Sequence, residues 1–389
     1  MNNGLCGNNC NTCILKNVCG GCSFCEASIC QRNCNRCSAT CFIRDPFHTK
    51  LYFTSIGGPE IDLRKNRAID LPAHIPILPD KLQNTPDYEV IPFIAVHGEK
   101  LLANNGEKIN HRYLDKGYSG ALNLNPDTKA ILEFYVKDRT LEGFWDNRKS
   151  IYKDLKKLNF SSVISLNFSV FEDAPRADHL QNIKRSSIVY NELLDAGISA
   201  IPDIAWYNIN DLKRWAAAIN AANIKMIAFS FQTVDVGLKT SNAWKSYLLG
   251  FRYLCQNISS DIKILVAGIA TPFKVYELHK ASQGQSIHIL NNSAYIQARR
   301  GMRSESRIQD KGLTFEELFH ENIKYFNMAY SDPIFSEIMS WDRNKLVSFY
   351  NDYQLQSRSI ESKYNIPKEK FETAYNLVLR SIKKKKVRI

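Results

Sequence analysis

Ten of the eleven cysteines in this 389-residue chain lie between Cys6 and Cys41. They form three triplets and a single: Cys6, Cys10 and Cys13; Cys19, Cys22 and Cys25; Cys30, Cys34 and Cys37; then Cys41. So short a stretch, poor in large apolar side chains, cannot bury a core of its own, and a cross-link or a bound metal must hold it. The first residues (MNNGLCGNNC) have neither a basic nor an apolar leader, and no run approaches the ~18 apolar residues that span a bilayer. A cytosolic protein away from membranes is expected. There, clustered cysteines bind metal more often than they form disulfides.

The spacing bears on which metal. Cys6-x3-Cys10-x2-Cys13 recurs at Cys30-x3-Cys34-x2-Cys37, with Cys19-x2-Cys22-x2-Cys25 between them. Zinc ribbons pair two short cysteine motifs about 12–20 residues apart, whereas these triplets are five or six residues apart. Three close cysteines and one more distant supply the corners of a [4Fe–4S] cube, and eight of the ten would serve two cubes. Two [4Fe–4S] clusters are the expected cofactors, with zinc ions as the alternative, and all ten cysteines are candidate ligands. No cysteine precedes the proline usual in bacterial ferredoxins. The CxxxCxxC spacing is also similar to that of radical S-adenosylmethionine enzymes, and Gly57-Gly58-Pro59-Glu60, after a candidate strand, is loosely similar to their GGE motif. In those enzymes the cysteines follow the first barrel strand, and no strand precedes Cys6. Cys255, alone in an apolar helix, reads as an ordinary buried cysteine.

Beyond Asp45-Pro46 a single cysteine, Cys255, remains, and apolar runs alternate with helical spacing. The clear runs are Ala130–Val136, Val163–Phe168, Ala200–Trp206, Ile224–Phe231, Ile262–Ile269 and Ser286–Leu290. Their near-continuous hydrophobicity fits strands buried on both faces. Amphipathic stretches lie between them at Asn147–Leu158, His179–Ala196, Asn210–Ala222, Asn242–Gln256 and Pro272–Ala281. Lys50–Ile56 and Val90–Val96 are weaker candidate strands ahead of these. Eight strands over about 250 residues predict an α/β fold, a TIM-like (β/α) barrel. An open doubly wound sheet or a partial six-unit barrel is the alternative. The expected division is a cysteine-rich metal-binding module (1–45), the barrel (46–305) and a helical, basic C-terminal extension (306–389).

Barrel chemistry sits at the C-terminal strand ends. The candidates there are Asp138, Asn167, Asp203, Ser230 and Gln232, with Arg139, Ser169, Thr271, Asn291 and Asn292 beside them. Asp203 stands out because a carboxylate inside an apolar strand needs a partner. Asp138 and Asp203 could hold a divalent metal or divide acid and base roles. His97, His111 and His179 read as structural or exposed. The net charge of +12 suggests a polyanionic partner, nucleic acid first, although a basic solvated surface would give the same balance. Arg176, Arg299, Arg300 and Arg303, with Lys383, Lys384, Lys385 and Lys386 near the end of the chain, are candidate phosphate contacts.

Residues from about Trp145 to Gly268 resemble a bacterial and phage family, domain of unknown function 4417. The resemblance rests on Trp145, on Val163–Pro175 with its N-F-S and D-x-P elements, and on Gln181-Asn182. Gly197–Trp206 (GISAIPDIAW) and Ile227–Thr233 (IAFSFQT) extend it. Where the family commonly reads P-D-F-S, this chain has Leu166-Asn167-Phe168-Ser169. The resemblance implies a shared barrel core and brings no activity with it. The functional expectation is a metalloprotein whose barrel binds or acts on nucleic acid or a nucleotide-derived substrate, in a phage or mobile-element setting. A non-enzymatic nucleic-acid-binding regulator and a radical S-adenosylmethionine enzyme are the alternatives.

Overall fold

Runs of aliphatic and β-branched residues, too short for helices, form eight parallel strands in one sheet. In a computed structural model of the chain, the described residues are 9–19, 37–86, 91–171, 174–232, 242–305, 308–331, 334, 337–338, 341–356, 359–364, 366 and 371–384. The sheet strands are β1 (His74–Leu78), β2 (Phe93–His97), β5 (Lys129–Glu133), β6 (Ser162–Ile164), β7 (Ala200–Ile201), β8 (Met226–Ser230), β9 (Lys263–Ala267) and β10 (Ser286–Asn291). Between β2 and β5 lie the helices α2 (Gly98–Leu101) and α3 (His111–Leu122) and two short strands, β3 (Leu102–Ala103) and β4 (Lys108–Ile109), that form a separate antiparallel hairpin.

Each sheet strand except β7 pairs with its successor, and β1 also pairs with β10, so the sheet curls into a TIM-like barrel. Only the β7–β8 seam lacks a ladder. It is joined by a single parallel bridge between Asp203 and Ala228, in which Ala228 N donates to Pro202 O and Ile204 N to Ala228 O, both at 2.9 Å. At the opposite end of this seam the Asn66 side chain donates to Met226 O (2.8 Å) and accepts from Lys225 N (2.7 Å).

Strand alternation sorts the core into two layers. Ile75, Ile77, Phe93, Ala95, Ile131, Ile164, Ile201, Met226, Ala228, Leu265, Ala267 and Leu290 fill the lumen, with Ile69 and Leu71 packed against this cluster and Tyr135 beside it. The intervening residues face the helices: α4 (Asp138–Leu158), α5 (Arg176–Asp195), α6 (Ile209–Ala221), α7 (Asn242–Asn257), α8 (Pro272–Ala281) and α9 (Ser293–Arg299) follow β5 to β10 in turn. β1 is followed by no helix among the described residues. A helix after the ring, Phe315–Ser331, packs on β1, α8 and α9, where Asn327 Oδ1 accepts from His74 N at 2.9 Å. The barrel's packing therefore runs past residue 305. Further helices follow at Arg343–Gln354, Ile360–Tyr364 and Phe371–Lys384. No helix among the described residues is long and apolar enough to cross a membrane.

The six clear strands and the five helices that accompany them stand where the sequence places them, except that α4 begins at Asp138, nine residues before Asn147. The first two strands need correction. Lys50–Ile56 lies in a helix, α1 (Pro46–Ser55), because Asp45 caps it by accepting from His48 N at 3.0 Å and Pro46 opens its first turn. The strand that completes the ring is His74–Leu78. Pro76 at its centre argues against a buried strand when the sequence is read by itself. Val90–Val96 shortens to Phe93–His97.

Candidate functional site at the barrel mouth

On β5 the lumen-facing series Ile131, Glu133, Tyr135 changes from apolar to polar as it reaches the C-terminal end. The same change occurs from Ile201 to Asp203 after β7 and from Ala95 to His97 on β2. These groups meet. His97 Nδ1 is hydrogen-bonded to Glu133 Oε1, and Glu133 Oε2 accepts from Tyr135 N at 2.7 Å. Tyr135 Oη donates to Asp203 Oδ1 at 2.9 Å, and Asn167 Nδ2 donates to Asp203 Oδ2 at 2.6 Å. Asp203 N in turn donates to Ser165 Oγ at 2.9 Å. Residues from four neighbouring strand ends thus form one connected polar chain above an apolar lumen.

Its electrostatics are unusual. Asp203 is 0% exposed, yet its two recorded side-chain partners are neutral donors. Burial pushes its pKa up to about 7, against the opposing pull of the Tyr135 and Asn167 hydrogen bonds. Tyr135 is held well above the ordinary phenol range by burial first, then by the charge and hydrogen bond of Asp203, so its proton stays in place as a donor. For His97, burial alone would lower the pKa; the hydrogen bond and charge of Glu133, helped by Glu99, outweigh it, and the net shift is upward. A carboxyl poised near pH 7 can take or give a proton to a substrate, and the His97–Glu133 pair offers a second proton-handling group on the same rim.

The other sequence candidates divide. Asn167 and Asp203 belong to the chain just described. Asp138, at the first turn of α4, forms a separate group in which its Oδ1 accepts from Ser169 Oγ at 2.8 Å. Ser230 is the lumen-facing end of β8, and its Oγ accepts from Gln232 N at 3.2 Å, while the Gln232 side chain is exposed. Gly268, at φ +85°, lets β9 end close against this turn, because a Cβ there would meet Gln232 N at 2.6 Å. Asn291 faces outward, bonded to Ile269 O and Tyr330 Oη. Tyr135 and Glu133 were missed, and His97 was read as structural. His97 and Glu133 each stand two positions beyond an aliphatic residue and Tyr135 two beyond Glu133, but which strand face meets the lumen is set by the register of the ring.

Among the basic candidates, Arg176 is buried in a bidentate ion pair with Asp211 (2.9 and 2.5 Å), and its Nη2 also reaches Val18 O at 3.4 Å. Arg303 pairs with Asp310 at 2.8 Å. Arg299 and Arg300 are exposed, and Arg299 helps line a pocket of about 260 Å³ with Lys81, Gln83, Tyr295 and Phe315. Lys385 and Lys386 lie outside the described residues, as do the side chains of Lys383 and Lys384.

The N-terminal segment is seated on this face. Leu15, Val18 and Phe42 form a small core with Phe53 of α1 and Ala177 and Leu180 of α5, with Cys13 and Cys19 packed against it. Thr40 N donates to Asp178 Oδ1 at 2.8 Å, and the Thr40 hydroxyl bonds Gln181. Cys10, Cys13, Cys19, Cys37 and Cys41 are half-buried here; Cys6, Cys22, Cys25, Cys30 and Cys34 lie outside the described residues. Among the described residues no three Cys, His, Asp or Glu side chains converge as a metal site. Leu15 N points at Cys13 Sγ at 3.4 Å, the kind of N–H···S contact that supports a ligating thiolate. Cys255 on α7 is buried, and burial pushes its thiol up to about 12.

The resemblance noted in the sequence holds over a wider span: residues 118–280 match the family described as Domain of unknown function (DUF4417). That span runs from within the helix His111–Leu122 to α8. It contains Glu133, Tyr135, Asn167 and Asp203 and leaves out His97 and the cysteine module. No curated protein matches the chain.

Proposed function

We propose that the chain is a barrel enzyme that performs acid–base chemistry at its mouth, with Asp203 exchanging the proton. The observation that carries this reading is the connected chain His97–Glu133–Tyr135–Asp203–Asn167 on the lumen rim. A purely structural polar cluster would pair so deeply buried a carboxylate with a cation. Tyr135 and Asn167 hold Asp203 in place while leaving its pKa close to neutral. The substrate class is nucleic acid or a nucleotide-derived molecule, supported by the net charge of +12 and by exposed Arg299 and Arg300. The ten N-terminal cysteines are proposed to hold two [4Fe–4S] clusters, which would staple a segment otherwise too small to keep its fold.

Two measurements test this. In thermal-shift titrations with mononucleotides and short single-stranded oligonucleotides, at least one ligand should raise the melting temperature of the wild type and be turned over. Asp203→Asn should bind that ligand without turnover. Turnover retained in the variant would remove Asp203 from the chemistry, and binding without turnover by the wild type would leave a nucleic-acid-binding protein. Anaerobic purification should give a brown protein with about eight irons and eight sulfides per chain; a colourless protein containing zinc would overturn the iron–sulfur assignment. The radical reading finds less support, since Gly57–Glu60 follows the helix α1 rather than a strand and the ring has eight strands.

A further inference from the structure

We infer that Asp178 is a positioning residue that links the seating of the N-terminal cysteine module to the geometry of Asp138 at the barrel mouth. The inference rests on the mouth being the functional site, as proposed above.

The module touches the barrel mainly through the first turns of α5, the helix that follows the mouth loop of β6. Arg176, Ala177, Asp178, Leu180 and Gln181 all contact it, through Val18, Thr40 and the small shared core. Among the described residues, the bonds of Asp178 continue to Asp138 at the mouth. Its Oδ1 accepts from Thr40 N, one residue before Cys41, at 2.8 Å. Its Oδ2 lies 3.4 Å from Asn182 Nδ2, and the same amide group donates to Ser169 O at 2.8 Å. An amide carries two hydrogens, so both bonds can form at once. Ser169 then holds Asp138 Oδ1 through its hydroxyl at 2.8 Å and its backbone N at 3.4 Å. Four side chains therefore span the distance from the cysteine module to a carboxylate on the rim. Each is part-buried, where a missing partner costs more than it would in water.

One consequence is reciprocal. Unseating the module should loosen the Ser165–Phe171 loop, and loosening that loop should weaken the module's hold. Hydrogen–deuterium exchange on the full chain reads both ends in one experiment and needs no ligand. A failure of coupling is thus separable from a failure of chemistry at Asp203. Asp178→Ala should speed exchange roughly tenfold in residues 9–19 and 37–42 and also in 165–171, with β9 and β10 unchanged. Asp178→Asn keeps an acceptor for Thr40 N but sets an amide N–H2 against that of Asn182, and should loosen both ends by less than Asp178→Ala does. Ser169→Ala, which cuts the chain at its other end, should loosen the module as well and serves if Asp178→Ala does not fold. Changes confined to one side of Asp178 in these variants would overturn the inference and reduce the residue to a local clasp.

Discussion

The unit formed by β7 and α6 carries two carboxylates that are both 0% exposed, and they are treated in opposite ways. Asp211 closes a capping box with Asn208 at the start of α6 and is met by Arg176, with Arg214 at 3.5 Å and backbone N–H groups of Tyr207 and Asn208. Asp203, eight residues earlier, receives Tyr135 and Asn167, both neutral. The first arrangement compensates a buried charge and thereby holds two helices, α5 and α6, and the N-terminal segment together. The second leaves the charge uncompensated, so the proton can come and go near neutral pH. Burial by itself does not distinguish structure from function; the charge of the partners does.

The largest effect is expected from breaking the compensated pair. Arg176→Ala strands Asp211 and should cost about 3–5 kcal/mol in urea denaturation at pH 7. A loss under about 1 kcal/mol would show that water or Arg214 compensates the charge instead, and the contrast between the two sites would fade.

Asp203→Asn should show the reverse sign. The folded-state pKa of Asp203 is raised from 3.8 to about 7. Below about pH 4 the carboxyl is protonated whether the chain is folded or not, and it carries no penalty. Stability is then lost as pH rises from about 4 to about 7, because the unfolded carboxyl ionises while the buried one keeps its proton, and the loss is complete above the folded pKa. The variant should therefore match the wild type at pH 4 and exceed it by on the order of a few kcal/mol at pH 8.5. Thermal melts across that range decide it: a difference independent of pH would mean that Asp203 is not uncompensated.

The smallest effect sharpens the second site. Tyr135→Phe removes one of the two neutral donors and should cost about 1 kcal/mol, mostly above pH 7, where Asp203 is charged. The Asp203 pKa, followed by carboxyl-carbon NMR, should move further upward, since the Tyr135 hydrogen bond lowers it. No movement would place the pKa control with burial alone.

Much of this architecture is legible in the residues. Six strands and the helices between them announce themselves because a barrel strand buried on both faces must be almost wholly apolar, and the helices around it must be amphipathic. Asp203 is legible for the same reason, as a carboxylate where such a strand allows none. The first strand was hidden by Pro76, and α1 was hidden because capping by Asp45 outweighs the β-branched and aromatic content of the segment it starts. Glu133 and Tyr135 escaped notice because facing the lumen is a property of register around a closed ring, which no local pattern contains.

The sequence by itself determined the order of the last six sheet strands and the helices between them and a cysteine-rich segment that needs a staple, together with one carboxylate that needs a partner. Each follows from local composition and period, since these set what a segment can bury. Tertiary structure decided the rest. Closing the ring brought His97, Glu133, Tyr135, Asn167 and Asp203 from four strand ends into one hydrogen-bonded chain. It turned Arg176 from a candidate phosphate contact into the buried partner of Asp211. It also seated the segment around Cys13, Cys19 and Cys41 beside the mouth, against α5, although more than 120 residues separate Cys41 from that helix. Partners so distant along the chain are chosen by packing and charge compensation, and these exist only once the barrel has closed.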